Sequence, residues 1–388
     1  MNFEYVELRL PLRVIMVNPL LPEAQMFALN IFKGLVFGFD QLISMTLLVY
    51  SNEVNEGLHW IRQVESTSAS CFNSIQITTN LPLVSDGDVF VIHTNLKNPN
   101  IFEWHDINTA ECFDSLYLLL KVASNLVMPE KSKEQLEQEE NEKRKYFRKH
   151  RKKLHKRKPI FMCDGLVAMD IVYTFSTNIP SDSFFCPTPV PAIATSILGD
   201  HLKVLCSEIN RIHMFGANDK MFHIEYERPL VIKDIRPVHT VEDNNELPAK
   251  SNVCEWDLFG SQRWKELNLD YTSFNASWMK KEFIDKVRVI SSSNLHGPLF
   301  NSARMTKALK AIWYTRNHPE RIPNFRAVGA ISDGSLGTTK GLPYIFPLNF
   351  YGDTWKVNTY FADDYYVKAE INKYNKVVQE QHKRIYSK

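Results

Sequence analysis

Several things are scarce or absent in this chain of 388 residues, and each closes off a class of protein. No apolar run reaches the span of about 20 residues that a membrane-crossing helix needs. The six cysteines, Cys71, Cys112, Cys163, Cys186, Cys206 and Cys254, are scattered, with no CxxC pair and no metal-ligand spacing. They read as reduced packing thiols of a cytoplasmic protein. Glu4, Glu7 and Arg9 interrupt the apolar residues from Met1 to Arg13, so the start of the chain lacks the unbroken hydrophobic region of a secretory signal. Asn275-Ala276-Ser277 fits the glycosylation acceptor pattern, which has no meaning in the cytoplasm.

What is present is enough apolar material, 44% of residues, for two packed lobes. The formal charge of +2 conceals a segregation. Residues 143–158 hold 11 Lys and Arg and no acid, and setting them aside leaves 35 basic against 44 acidic side chains, a body of net −9. They close a block from Glu130 to Lys158 that runs from acidic to basic with few apolar residues. As one helix it would extend about 40 Å at 1.5 Å per residue, with its charges placed as the macrodipole prefers; as an unfolded segment it would be equally well solvated. Either way it is an exposed insertion, and its bases suit an acidic partner. With only Tyr146 and Phe147 among the bases, nucleic acid would be held by charge and not read base by base.

Apolar runs alternate with helical spacing along the first half. Arg13 to Val17, Ile43 to Tyr50, Ser74 to Thr79, Asp88 to His93 and Ile160 to Cys163 read as strands. Glu23 to Phe32, Asn52 to Val64, Ala110 to Val127 and Leu166 to Phe175 read as helices. This order is that of a Rossmann-like, doubly wound parallel sheet in an α/β protein, whose ligands bind at the carboxyl ends of the strands. A dinucleotide site would need glycines after the first strand so that a pyrophosphate can approach the helix N-terminus. The turn here reads Asn18-Pro19-Leu20-Leu21-Pro22-Glu23. It has no glycine, two prolines that remove amide donors, and a carboxylate where an anion would sit. The second strand ends near Val49-Tyr50 without the acid that would bind ribose hydroxyls; Asn52 or Glu53 could serve only after a loop shift.

The stretch from Ala327 to Leu348, AVGAISDGSLGTTKGLPYIFPL, reads as strand, glycine-rich turn and strand, followed by Thr354-Trp355-Lys356 and a charged helix from Asp363 to Tyr386. With Gly34 to Gln41 and Trp278 to Phe283, it closely resembles the cytosolic-type NAD-dependent malate dehydrogenases of the lactate/malate dehydrogenase superfamily. Within that family the chain is most similar to a divergent paralogue group labelled malate dehydrogenase 1B. The resemblance runs from about residue 13 to 385. It implies a homodimer with a Rossmann-like N-terminal domain over residues 1–175, carrying the 130–158 insertion on the edge away from the ligand cleft, and a mixed α/β substrate-type domain over residues 176–388.

The same resemblance says which positions should carry chemistry, and this chain departs at each. The family's mobile loop bears two arginines that fork onto a carboxylate; Leu96 to Trp104 offers Lys97, with Glu103 near the second position. The family's Asn-Pro after the fifth strand is missing from Met162-Cys163-Asp164-Gly165-Leu166 here. Pro191 stands at the position of the Asp that orients the catalytic His, Ala194 at that of the carboxylate-binding Arg, and Asn218 at that of the His itself. An amide is no base near neutral pH. His213, read as lying within a strand, and His223 are the nearest imidazoles. Where the family has a serine-rich turn touching substrate, His296 to Phe300 brings the apolar bulk of Pro298 and Phe300.

Three readings follow. In the first, the chain is a pseudoenzyme that keeps the scaffold, has no catalytic residues and takes no cofactor. In the second it is an NAD-dependent L-malate dehydrogenase interconverting malate and oxaloacetate through a rewired site with Lys97 and His213 or His223. In the third, compatible with both, residues Lys143 to Lys158 dock an acidic partner. Eight substitutions at separate positions do not arise from one slip of register, which favours the first.

Overall fold

The apolar runs become strands because a parallel sheet is covered on both faces and each strand needs side chains that tolerate burial on either side. The computed structural model describes residues 11–81, 87–103, 110–126, 158–202, 205–206, 209–210, 212–224, 231–234, 254–257, 274–293, 297–318, 324–359 and 365–386. The basic run, apart from Lys158, lies outside the described residues. Two compact units divide the chain: Met1–Cys186 with Pro298–Tyr314, and Pro187–Gly297 with Thr315–Lys388.

In the first unit, β1 (Leu12–Val17), β2 (Ile43–Leu48), β3 (Phe72–Thr78), β4 (Val89–Ile92), β5 (Ile160–Cys163) and β6 (Phe184–Cys186) lie in the spatial order β3-β2-β1-β4-β5-β6. All five pairings are parallel. The connections carry α1 (Pro22–Phe32), α2 (Val54–Ser66), α3 (Ala110–Asn125) and α4 (Leu166–Phe175). Register brings Phe90, Phe161 and Phe184 into one row across β4, β5 and β6, with rings stacked at 4.5 and 4.7 Å. Helix α1 starts on Pro22, whose fixed φ suits the first helical position and whose missing N–H would have had no intrahelical partner. It buries Ala24, Phe27, Ala28, Ile31 and Phe32, a stripe at three- and four-residue spacing. Each fully buried Phe or Ile in it contributes about 1.5–3 kcal/mol. The chain then turns at Gly34, φ +75°, where a Cβ would lie 2.9 Å from the Phe39 backbone.

In the second unit, α5 (Pro189–Leu202) packs against α6 (Ile284–Ser292). The short strands β7 (Ile209–Asn210), β10 (Val231–Asp234) and β11 (Cys254–Asp257) form a small antiparallel sheet, and β8 (Met214–Gly216) and β9 (Phe222–Ile224) a hairpin. After α7 (Pro298–Asn317), whose residues to Tyr314 belong to the first unit, come β12 (Asn324–Ile331), β13 (Pro343–Tyr351) and β14 (Thr354–Val357), antiparallel in turn. β13 also pairs with β8. The last helix, α8 (Tyr365–Tyr386), buries Val367, Ile371, Tyr374 and Val378 on one stripe.

Sequence pattern and structure part company in four places. The residue pattern from Ile193 to Ser207 reads as a helix, yet the helix begins at Pro189, since amides in a first turn have no intrahelical acceptor and Pro189 and Pro191 therefore forfeit nothing. The pattern from Ser302 to Arg316 also reads as a helix, and Pro298 likewise opens α7 four residues earlier. Ile212 to Phe215 reads as a strand from the sequence, but the strand starts at Met214, so His213 precedes it and does not lie within it. Residues Phe274–Phe283 wind with π-helical pairing before α6. Trp278 and Phe283, five apart, are therefore both buried, their rings 5.4 Å apart.

Candidate functional site

Val17, Ile92 and Cys163 form the last paired rung at the carboxyl ends of β1, β4 and β5. The next residues, Asn18, His93 and Asp164, continue that rung at the point where the order of strands reverses, the place where open parallel sheets bind ligands. Asn18 adopts a left-handed conformation, φ +52°, which asparagine tolerates better than most residues. Its Nδ2 donates to the His93 carbonyl at 2.7 Å. The Asp164 amide donates to the Ile92 carbonyl at 2.9 Å. Asp164 Oδ2 accepts two bonds from Thr94, from the amide at 2.6 Å and the hydroxyl at 2.7 Å.

Helix α1 lies over this rung. Phe27 meets the His93 ring edge-on with centroids 6.4 Å apart. Glu23, one turn earlier on the same helix face, is close enough to act on the Asp164 carboxyl. His93 is fully buried, and neither ring nitrogen has a hydrogen-bond partner. Burial favours the neutral imidazole and pushes its pKa down to about 3. Asp164 as a residue is half-buried, but its Oδ1 is sealed from solvent and accepts no hydrogen bond. Loss of hydration pushes this carboxyl up to about 7, opposed by the Thr94 bonds and reinforced by the negative charge of Glu23.

At the end of β2, Tyr50 stands where a ribose-binding acid would be needed. Its hydroxyl donates to the Asp114 carbonyl on α3. Its amide donates to Glu53 Oε2 at 3.0 Å. Burial, with Asp114 and Glu53 nearby, pushes the phenol up to about 12. Glu53, one of the two substitutes open from sequence, is thus engaged in its own turn, while Asn52 is exposed.

The segment after β4 is fastened to the start of α4. Asn100 Oδ1 accepts from the Leu166 amide at 3.1 Å, and the Pro99 carbonyl accepts from the Val167 amide at 3.0 Å. Within the segment, Asn98 Oδ1 accepts from the Asn100 amide at 2.9 Å. Gly165 permits this approach: a Cβ there would sit 2.2 Å from the Pro99 carbonyl oxygen. Phe102 is buried, Glu103 half-buried and Lys97 exposed.

No protein-family model matches the chain. A human relative, whose name malate dehydrogenase 1B is provisional, is 25% identical over 139 residues, which is 35% of this chain. The match spans about a quarter of that relative's own length, 26%. Malate dehydrogenase from Naegleria fowleri superposes with a TM-score of 0.67 at 12% identity, over 98% of each chain. Trichomonas vaginalis lactate dehydrogenase in complex with NADH and oxamate superposes at 0.65 and 11% identity, over 96% of this chain and 97% of that one. Plasmodium falciparum malate dehydrogenase in complex with NADH gives 0.59 at 12%, over 96% and 98%. The chain has the fold of the malate and lactate dehydrogenases.

The positions at which the resemblance led one to expect chemistry have structural occupations here. Pro191 is half-buried in the first turn of α5, and its carbonyl accepts from Thr195 Oγ1 at 2.7 Å. Ala194 is buried in the same helix. Asn218, which the resemblance set against the catalytic histidine, closes the turn between β8 and β9. Its Oδ1 accepts from the Lys220 and Met221 amides at 2.9 and 3.0 Å, an Asx turn in which the side chain replaces a backbone acceptor. His223 is buried on β9 with its ring 5.2 Å from Phe215, and His213 is half-buried ahead of β8. Pro298 is exposed, and Phe300 lies half-buried beneath the Arg304 guanidinium at 4.9 Å.

Sequence reasoning passed over His93 and Thr94 entirely, and noticed Asp164 only as a missing asparagine. The available signal was a polar residue directly after each of two wholly apolar strands, VFVI and IFMC.

Proposed function

We propose that this chain is a divergent relative of the malate dehydrogenases that keeps the scaffold, has lost dinucleotide binding and hydride transfer, and works as a binding protein. The observation that supports this most is the internal engagement of the crevice. Glu23 lies in the first turn of α1, where a pyrophosphate would need positive potential. Tyr50 is hydrogen-bonded to Asp114 in place of a ribose acid, and the first amides of α4 are taken by Asn100 and Pro99. These residues do not fit a nicotinamide dinucleotide, and no step of a mechanism is derived through one. Asn218 is occupied by two amides and has no basicity to offer.

The test is a calorimetric titration of the purified chain with NADH, together with an assay of oxaloacetate reduction. The expected result is no saturable heat and no turnover. Steady reduction at catalytic rates would overturn the reading.

A rewired L-malate dehydrogenase is the second reading, favoured by the two structural neighbours crystallised with NADH. It requires saturable quenching of tryptophan fluorescence by NADH. We further propose a homodimer, checked by sedimentation. The cytoplasm is the proposed compartment, supported by the buried free thiol of Cys163. Lys143 to Lys158 are proposed to dock an acidic partner, and replacing those bases with Gln or Ser should abolish a salt-sensitive interaction.

A further inference from the structure

The antiparallel strands β12, β13 and β14 of the second unit carry two N–H donors that find no acceptor. Arg326 on β12 stands opposite Leu348 on β13, which stands opposite Val357 on β14. Trp355 on β14 stands opposite Phe350, two residues beyond Leu348. Directly opposed residues share a face of a sheet, and so do residues two apart on one strand, so Arg326 and Trp355 lie on the same face. With strands about 4.8 Å apart and a rise of about 3.4 Å per residue, their Cα atoms are about 12 Å apart. One small molecule can meet both side chains across that span.

Arg326 is half-buried. Its Nε is sealed from solvent without a hydrogen-bond partner, and among the described residues its guanidinium makes no ion pair. The two terminal nitrogens are not sealed, so a ligand reaches them from solvent without entering a closed cavity. Burial lowers the guanidinium's pKa, and no nearby carboxylate opposes the shift. Trp355 is buried, and its Nε1 hydrogen likewise has no acceptor. Asp353, two residues before Trp355, is held by Arg316 Nε at 2.7 Å. A buried donor without an acceptor is costly, and an unpaired cation more so. Both orphaned groups are donors and one is charged, so their complement is an acceptor that carries negative charge.

The neighbours on this face choose among anions. Val328, two residues from Arg326, is buried, and so are Leu348, Phe350 and Val357. A phosphate dianion would leave one of its charges unanswered against that apolar surface. A carboxylate has the planar fork that a guanidinium matches with two parallel hydrogen bonds, and its single charge equals that of one arginine. An apolar body behind the carboxylate would cover the surrounding side chains.

We propose that Arg326, with Trp355 on the same face of β12, β13 and β14, binds a small organic monocarboxylate through the terminal nitrogens of its guanidinium. The site lies wholly within the second unit. It is independent of the strand-end crevice and of whether that crevice takes a dinucleotide.

The test uses the full chain with 3-phenylpropionate as probe, 3-phenyl-1-propanol as its uncharged match and inorganic phosphate as the rival anion, by calorimetry at about pH 7.5, where the carboxylate is ionised. Saturable heat with phenylpropionate alone is the expected result. Arg326→Met keeps an apolar stem and removes the charge, and Arg326→Lys keeps the charge and removes the fork. Each should weaken phenylpropionate binding by about tenfold or more. Trp355→Phe keeps a ring and removes the N–H, and should weaken it by about two- to tenfold. The urea midpoint of Arg326→Met without ligand should equal or exceed that of the parent, because an unpaired buried cation contributes no stability. A lower midpoint would mean that the guanidinium already has a partner within the chain, and overturns the inference. So does absence of saturable heat with phenylpropionate, equal binding of the alcohol, or an affinity unchanged in both arginine variants. Phosphate bound as tightly as phenylpropionate overturns the assignment to monocarboxylates.

Discussion

His93 and Asp164 stand side by side at the ends of β4 and β5, and burial displaces their protons in opposite senses. The imidazole is driven to its neutral form and so is the carboxyl, but for one this means losing a proton and for the other keeping it. The two residues therefore pull the pH dependence of stability in opposite directions.

For Asp164 the folded value, about 7, exceeds the ordinary 3.8, so its contribution is complete below about pH 3.8 and is lost as pH rises toward 7. For His93 the folded value, about 3, lies below the ordinary 6.5, so its contribution is complete above 6.5 and is lost as pH falls toward 3. Between 3.8 and 6.5 the two offset each other. Asp164→Asn should leave stability rising more steeply with pH across that window than in the parent, and His93→Leu should leave it falling. Urea midpoints collected against pH provide the check. Parent-like profiles in both variants would refute the opposed titration.

Gly165→Ala tests the fastening of the Asn98–Phe102 segment to α4. Its Cβ would fall 2.2 Å from the Pro99 carbonyl oxygen, and the backbone there has no soft side chain to yield. A loss of about 1–3 kcal/mol is expected from the forced shift. Asn100→Ala removes the acceptor of the Leu166 amide and should cost about 1 kcal/mol. Amide exchange at Leu166 and Val167 should quicken in both variants. Unaltered exchange would mean that this contact does not hold the segment.

Asn218→His places an imidazole where the resemblance to malate dehydrogenases leads one to expect the catalytic histidine, yet it should yield no turnover. Asn218 Oδ1 serves two amides of the β8–β9 turn. Their loss should cost about 1–3 kcal/mol. Chemical denaturation measures the first effect and oxaloacetate reduction the second. A stable, active variant would show that one side chain was all the chemistry lacked.

The glycine-rich turn between β12 and β13 is tied to α8 by a small network. Tyr344 OH donates to Asn375 Oδ1 at 2.8 Å, and Asn375 Nδ2 donates to the Gly337 carbonyl at 3.0 Å. A double-mutant cycle with Tyr344→Phe and Asn375→Ala should give a coupling of about 0.5–3 kcal/mol. Additive losses, within about 0.3 kcal/mol, would mean the two side chains act separately.

How legible was this molecule beforehand? The runs IFMC and LVAMDIVYTF give β5 and α4 within their observed limits, because wholly apolar strands and a helix-length run leave few alternatives. The prolines at Pro189 and Pro298 misled the reading of α5 and α7, since a residue that breaks a helix interior opens one comfortably. The π-helical pairing before α6 had no mark in the residue pattern. Glu23, Pro19 and Pro22 could be weighed from sequence because they sit in one turn. Asp164 could not, because its partner Thr94 is 70 residues away and its environment comes from α1.

The amino-acid sequence alone determined the order of strands and helices and the dehydrogenase-like framework they follow, since both reside in local patterning and in short motifs such as Gly329 to Lys356. Tertiary structure decided what the crevice holds. Parallel register set His93 beside Asp164, α1 laid Glu23 and Phe27 over them, and the chain folded Asn100 and Pro99 onto the first amides of α4. Burial and hydrogen-bond partnership are properties of what surrounds a residue. For these groups the surroundings come from segments far apart in the chain.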